Sequence, residues 1–157
     1  MVDRDSMAQI AAGQTPSLAG LMLELGALPP PPVAQRILAA LENGTLPEWC
    51  MSYLVVEKAT RRVVACCNFK GTPTNRSVEI GYGVAPSCWG KGIATAAASF
   101  LIEVAKKSAL VDVLVANISP DNHASQKVVS KLGFVNSGRV FGSGREALGE
   151  WTLGIAA

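Results

Sequence analysis

The 157-residue chain has no apolar run of the roughly 18 residues that a membrane-spanning helix needs. Its first residues, MVDRDSMAQIAAG, hold no apolar segment behind a basic start, so no secretory leader is expected. Charge is sparse, at 17% of residues, and the net charge of +2 is too small to point to nucleic acid. Histidine is nearly absent, with His123 standing alone. The four cysteines, Cys50, Cys66, Cys67 and Cys88, show no C-x-x-C spacing, so no metal site is expected. Cys66 and Cys67 are adjacent and point to opposite faces if they lie on a strand. The favoured setting is a reducing cytoplasm with free thiols. Without secretion, the sequons Asn43-Gly44-Thr45 and Asn117-Ile118-Ser119 carry no weight. What remains is a chain with 49% hydrophobic residues, enough for a core, and of a length that suits one domain over 1–157.

The chain is organised around Val78–Ala105, VEIGYGVAPSCWGKGIATAAASFLIEVA. A β-type run enters it with Glu79 and Tyr82, Pro86 stops that run, and a helix leaves it. Between them lies Trp89-Gly90-Lys91-Gly92-Ile93-Ala94. A helix start has four backbone N–H groups without intrahelical partners and the positive end of the dipole. Gly90 and Gly92 let phosphate approach that backbone, and Lys91 adds a full charge, so the loop reads as a pyrophosphate cradle. The dinucleotide fingerprint G-x-G-x-x-G is incomplete, because Thr95 stands at its third glycine, and the triphosphate loop G-x-x-x-x-G-K-[ST] is absent.

Around this centre the pattern alternates. Met7–Ala12 reads as a short first strand at most. Ser17 is a candidate N-cap for a helix through Leu18, Leu21, Met22 and Leu25 to Gly26. Pro29–Pro32 spaces this from a second helix, about Val33–Leu41, whose Val33, Ile37, Leu38 and Leu41 form one stripe. The pair either flanks a binding groove or simply covers a sheet face. Ser52–Glu57, Val63–Lys70 and Ser77–Ala85 read as hairpin-connected, antiparallel strands. After the glycine loop, Ile93, Ala97, Phe100, Leu101 and Val104 recur at helical spacing, and Lys106 and Lys107 suit the helix end. Asp112–Ala116 is a short strand, so strand, helix and strand make a βαβ unit with Ser77–Ala85 and Asp112–Ala116 parallel.

A second motif follows in NISPDNHASQKVVSKLGF, Asn117–Phe134. Asp121 or Asn122 caps a helix with Val128, Val129 and Leu132 on its buried stripe, and Gly133 closes it. Phe134–Phe141 and Ala147–Ile155 form a terminal hairpin around Gly142-Ser143-Gly144. These two motifs carry a resemblance. Trp89, Gly92 and Ala94 occupy the patterned positions of [RQ]-x-x-G-x-[GA], the acyl-CoA loop of the GNAT N-acetyltransferases. Tryptophan at the basic position resembles the subgroup similar to ribosomal-protein N-terminal acetyltransferases. Asn122, Ser125 and Leu132-Gly133-Phe134 match the family's second signature, N-x-x-[AS] followed by L-G-F. The resemblance covers roughly residues 52–142.

The resemblance implies an α/β (α+β) fold. Its mixed, mostly antiparallel sheet would splay between the fourth and fifth strands, with about four helices around it and CoA in the resulting V. It implies acetyl transfer from acetyl-CoA to a primary amine, on a protein N-terminus or a small molecule, by direct attack in a ternary complex. No metal, nucleic acid or membrane is implied, and the protein would be a monomer or homodimer. Glu79 matches a strand glutamate that serves as general base in some members; alternatively it is a strand charge facing solvent or a lysine. Ser125 stands where related enzymes have a serine, as proton donor to the thiolate or as a cofactor or helix-start contact. Val129 occupies the position of the family's usual tyrosine acid. Asn122 would bond the pantetheine amides, cap the helix, or both. The backbone of Tyr82, Gly83 and Val84 would pair with the pantetheine arm, and the cradle Trp89, Gly90, Lys91, Gly92, Ile93, Ala94 and Thr95 would take the pyrophosphate. Tyr82 reads equally as a strand aromatic, Lys91 as a solvated charge and Trp89 as a core or interface residue. Cys88 beside the loop has no neighbouring histidine to activate it as a nucleophile. Alternatives are a catalytically silent acyl-CoA-binding or regulatory module on the same scaffold, and a protein holding another nucleotide in the glycine loop.

Overall fold

Helix α1 (Arg4–Ala11) begins at Asp3, whose carboxylate accepts the Ser6 N–H at 2.8 Å and the Ser6 hydroxyl at 2.7 Å. This corrects the expectation of a strand over Met7–Ala12. Met7 and Ile10, three apart, share one helix face and are both buried. The computed structural model describes residues 1–156. The helix expected after Ser17 is likewise absent: a single turn, with the Leu21 N–H on the Leu18 carbonyl at 3.0 Å, leads into a two-residue strand, β1 (Met22–Leu23). Two causes are visible. Gly20 adopts φ +70°, and the Gly20 carbonyl and Glu24 carboxylate are drawn to Arg61 (2.7 Å) and Arg62 (2.6 Å) at the start of a distant strand. Long-range partners override a local helical spacing.

Helix α2 (Pro31–Glu42) carries Pro31 and Pro32 in its first turn, where a missing N–H costs nothing. The proline run therefore opens the helix as well as spacing it. Ala34 and Ile37 are buried against Met7 and Ile10, with Val33, Leu38 and Leu41 at the margin. Strands β2 (Tyr53–Glu57), β3 (Arg62–Phe69) and β4 (Ser77–Val84) pair antiparallel in sequence. The β3–β4 register is unbroken from Ala65↔Val84 to Phe69↔Ile80, and the irregularity lies in β2 between Val55 and Val56.

Helix α3 (Ile93–Ser108) buries Ala97, Ala98, Leu101, Ile102 and Ala105 against Phe69, Ile80 and Leu114, which form the main core. Its alanines let it lie close to the sheet. Phe100 departs from the expected stripe: it is 44% exposed and meets Tyr53 edge-on, with ring centroids 5.0 Å apart. Strand β5 (Val113–Ile118), helix α4 (His123–Lys131), and strands β6 (Val135–Phe141) and β7 (Leu148–Gly154) complete the order. The sheet runs β1-β3-β4-β5-β7-β6, with β2 also on β3.

One pairing shapes everything that follows. β4 and β5 are parallel, and they pair only from Ser77↔Val113 to Glu79↔Val115. Beyond Glu79 they part. β5 continues to Ile118 on β7, and β4 continues to Val84 on β3. The sheet is thus a mixed, mostly antiparallel one, splayed between β4 and β5.

Candidate active site

The parting strands enclose a cleft of about 740 Å³. Alternation along β4 decides what faces it. The Lys70 N–H donates to the Glu79 carbonyl at 2.8 Å and the Ala85 N–H donates to the Val64 carbonyl at 2.9 Å, so odd-numbered residues spend their backbone on β3. The N–H and C=O groups of Ile80, Tyr82 and Val84 therefore lie on the opposite edge, toward the cleft. Next to the last β5 pairing, at Glu79↔Val115, the Ile80 N–H still faces β5; farther along, the Val84 carbonyl accepts the Trp89 indole N–H at 2.9 Å. Trp89 is otherwise 69% exposed, so it is neither core nor a charged phosphate ligand. It straps the glycine loop to the open strand edge.

The loop carries the expected free donors. Gly92, at φ +77°, precedes α3 without a side-chain cap, and Gly90 has φ +75°. Among the described residues, none of the backbone N–H groups from Gly90 through Thr95 finds an acceptor, and the Ala96 N–H is the first to bond back, to the Gly92 carbonyl at 3.0 Å. The cradle fits an anion: consecutive donors, a helix dipole and space above both glycines, where an added Cβ meets nothing within 4 Å. Lys91 also acts on Glu24, whose carboxyl is held low by Ser87, then Arg62, with a smaller part from Lys91.

Of the residues singled out in the sequence, Glu79, Tyr82, Gly83, Val84, Asn122 and Ser125 line this one cleft. Trp89 through Thr95 lie outside its lining, beyond the turn at Pro86–Cys88. The two faces of β4 separate the roles. Glu79, Gly81 and Gly83 face α2, and Val78, Ile80 and Tyr82 face the α3 side. Glu79 is ion-paired with Lys70, which stands opposite it on the hairpin, so the carboxylate does have a lysine partner. Lys70 reaches it across Gly81, where an added Cβ would sit 3.1 Å from Lys70 Cε. At Gly83 the space is open.

Across the cleft, the Asn122 oxygen accepts the Ser125 N–H at 3.1 Å, which caps α4. Its amide N–H groups have no partner among the described residues, so one side chain can cap with one end and donate to a ligand with the other. The Tyr82 hydroxyl reaches over and donates to the Ser125 carbonyl at 3.4 Å. Burial pushes the Tyr82 phenol up, offset in part by that hydrogen bond, so it is neutral near pH 7.

Several cleft residues had no sequence signal. Among the described residues, Arg36 on α2 lines the cleft and has no ion-pair partner, and Asn117 on β5 has a side-chain oxygen closed from solvent with no hydrogen-bond partner. Cys66 also lines it, and burial pushes its thiol up to about 12, which makes it an inert wall. Cys88 is buried elsewhere, beside Ser87, and takes no part. Lys70 was within reach: in a tight hairpin through Gly71–Arg76 it falls opposite Glu79.

The decisive comparison is with family sequences. The family profile described as Acetyltransferase (GNAT) domain matches residues 9–135. The chain belongs to the GNAT acetyltransferase family. Among curated relatives, it is 31% identical over 106 residues to the uncharacterized N-acetyltransferase p20 of Bacillus licheniformis, over 67% of this chain and 60% of that one. The chain thus spans about 60% of the length of the curated relatives it matches. Among solved structures, a GNAT-family acetyltransferase from Streptococcus pneumoniae superposes with TM-score 0.67 at 15% identity, over 99% of this chain and 96% of that one. The ribosomal-protein-S5-alanine acetyltransferase of Vibrio fischeri gives TM-score 0.65 at 19% identity, over 98% and 90%. At these identities the superpositions speak for the GNAT fold alone. Among the described residues, no helix is long and apolar enough to cross a membrane, and no cluster of three or more His, Cys, Asp or Glu side chains could hold a metal.

Proposed function

We propose that this chain is an acetyl-CoA-dependent N-acetyltransferase that transfers acetyl to a primary amine by direct attack in a ternary complex. The amine belongs to a small molecule or a protein N-terminus. One observation carries the reading: a row of unpartnered N–H groups, Gly90 through Thr95, lies just past an open strand edge. A long ligand with a pyrophosphate at one end and amides along its arm matches that sequence of donors. The four cysteines are free, as a reducing cytoplasm would keep them.

Each residue then has a task. The cradle holds the pyrophosphate, and Lys91 adds charge. The Tyr82 and Val84 backbone pairs with the pantetheine arm as an added strand would, running from the cradle toward Glu79, and Gly83 between them keeps the strand face clear. Asn122 donates its amide to the arm, and the Ser125 hydroxyl contacts the cofactor. Glu79, on the face toward α2, takes the proton of the incoming amine. The transfer needs no covalent enzyme intermediate, and the neutral Cys66 thiol in the wall supplies none.

The test is calorimetric titration with acetyl-CoA and, separately, with CoA, followed by an acceptor screen of amines and peptides. Micromolar binding with turnover above the uncatalysed background is the expected result. Binding without turnover on any amine would favour the silent acyl-CoA-binding module, for which Val129 at the tyrosine position argues. No binding to either compound would end the reading.

A further inference from the structure

Direct transfer leaves a thiolate that needs a proton, and Val129 cannot supply it. The two faces of β4 open on two sides of the cleft. On one side, under α2, stand Glu79, Gly81 and Gly83. On the other, toward α4, one phenol crosses the gap: the Tyr82 hydroxyl, 3.4 Å from the Ser125 carbonyl. That bond is long, so the proton is loosely held and free to be redirected. Tyr82 sits on the strand whose backbone edge faces the ligand, three residues beyond Glu79 and two before Val84.

We propose that the Tyr82 hydroxyl is the general acid that protonates the departing CoA thiolate. The inference rests on the acetyltransferase reading. As the amine nitrogen bonds to the acetyl carbon, its proton goes to Glu79 on the α2 side. The C–S bond breaks, and its electron pair takes the Tyr82 proton on the α4 side. Glu79 then loses its proton to solvent and the Tyr82 phenolate regains one, so the net products are an acetamide and CoA thiol. The surroundings favour a phenol that stays protonated until needed. Burial raises it, no charged side chain among the described residues acts on it, and Cys67, opposite on β3, is a neutral thiol pushed up to about 12.

The experiment compares Tyr82→Phe with the full wild-type chain, using acetyl-CoA and its selenium analogue, whose selenol leaves as an anion without a proton. With acetyl-CoA, kcat is expected to fall about 100-fold while the acetyl-CoA dissociation constant changes less than about threefold, because the backbone does the binding. With the seleno-donor the defect is expected to shrink below about threefold. Replacing Tyr82 by a fluorotyrosine, which keeps the ring and lowers the phenol pKa, is expected to move the alkaline limb of the kcat profile to lower pH. An equal loss with both donors would make Tyr82 a positioning residue and overturn the proposal. So would an unchanged rate, an unmoved alkaline limb, or a donor-dependent loss in Ser125→Ala instead. If acetyl-CoA itself fails to bind wild-type protein, the parent reading falls; if it binds and only these contrasts fail, Tyr82 alone falls.

Discussion

Replacing Glu79 by Gln tests whether a lysine-paired strand carboxylate is a base. The substitution keeps shape and one acceptor oxygen, and removes the charge that holds Lys70. Two magnitudes separate the roles. As a surface-type pair with side chains 36% and 27% exposed, Lys70–Glu79 contributes no more than about 1 kcal/mol to stability. For a chain of this size that is a fall of no more than about 4 °C in Tm. A positioned general base contributes about 10²–10⁴-fold in rate, which is about 2.7–5.5 kcal/mol at the transition state. The expected result is therefore a large kinetic defect on a nearly intact fold. Transfer is measured at saturating acetyl-CoA from pH 6 to 9, beside urea unfolding and acetyl-CoA titration. Lys70→Met is the control, because it breaks the same ion pair and leaves the carboxylate. A loss below tenfold in Glu79→Gln at every pH, or equal losses in both variants, would refute the base and leave Glu79 as the partner of Lys70.

Gly83→Val is expected to leave Tm within a few degrees, since the added Cβ meets nothing within 4 Å and the backbone is not in the left-handed region. Filling the strand face toward α2 should raise the acceptor KM at least tenfold with acetyl-CoA affinity retained, as steady-state kinetics and calorimetry would show. Cys66→Ala should keep kcat within about threefold, and iodoacetamide should not label Cys66 in the native protein, because a thiol at about 12 is only about one part in 10⁵ ionised at pH 7. Asp112 is held below the ordinary carboxylate range by its hydrogen bonds to Arg76, at 2.5 and 2.7 Å, and by the charge of that guanidinium. Its contribution to stability is present above the unfolded-state pKa and lost as pH falls through the folded one. Asp112→Asn should lower the urea midpoint at pH 7 and match wild type once the pH falls below both values.

From β2 to β7 the fold was legible because its signals are local: alternation, a helical stripe with alanines, an Asn cap and a closing glycine. The first thirty residues were not, for opposite reasons. The Asp3–Ser6 cap was present in the sequence but outweighed by an apolar run short enough to pass for a strand. The false helix at Leu18–Leu25 had good spacing, and no local rule reveals that Arg61 and Arg62 would capture its backbone and Glu24. At the site, the motifs located β4, the cradle and the α4 start. They could not show that Trp89 bonds Val84, nor that Arg36 and Asn117 line one cleft, since such neighbours arise only when separate elements pack.

The parting of β4 from β5 leaves strand backbone unpaired where most sheets would close it. A ligand bound along that edge makes the protein itself sturdier. At a hundredfold excess over its dissociation constant, acetyl-CoA would add about 2.7 kcal/mol to the folding free energy. The fraction of molecules open to proteolysis would fall by the same hundredfold factor. On the proposed reading, resistance to an added protease would then rise with acetyl-CoA concentration, so the open edge would couple the chain's durability to its ligand.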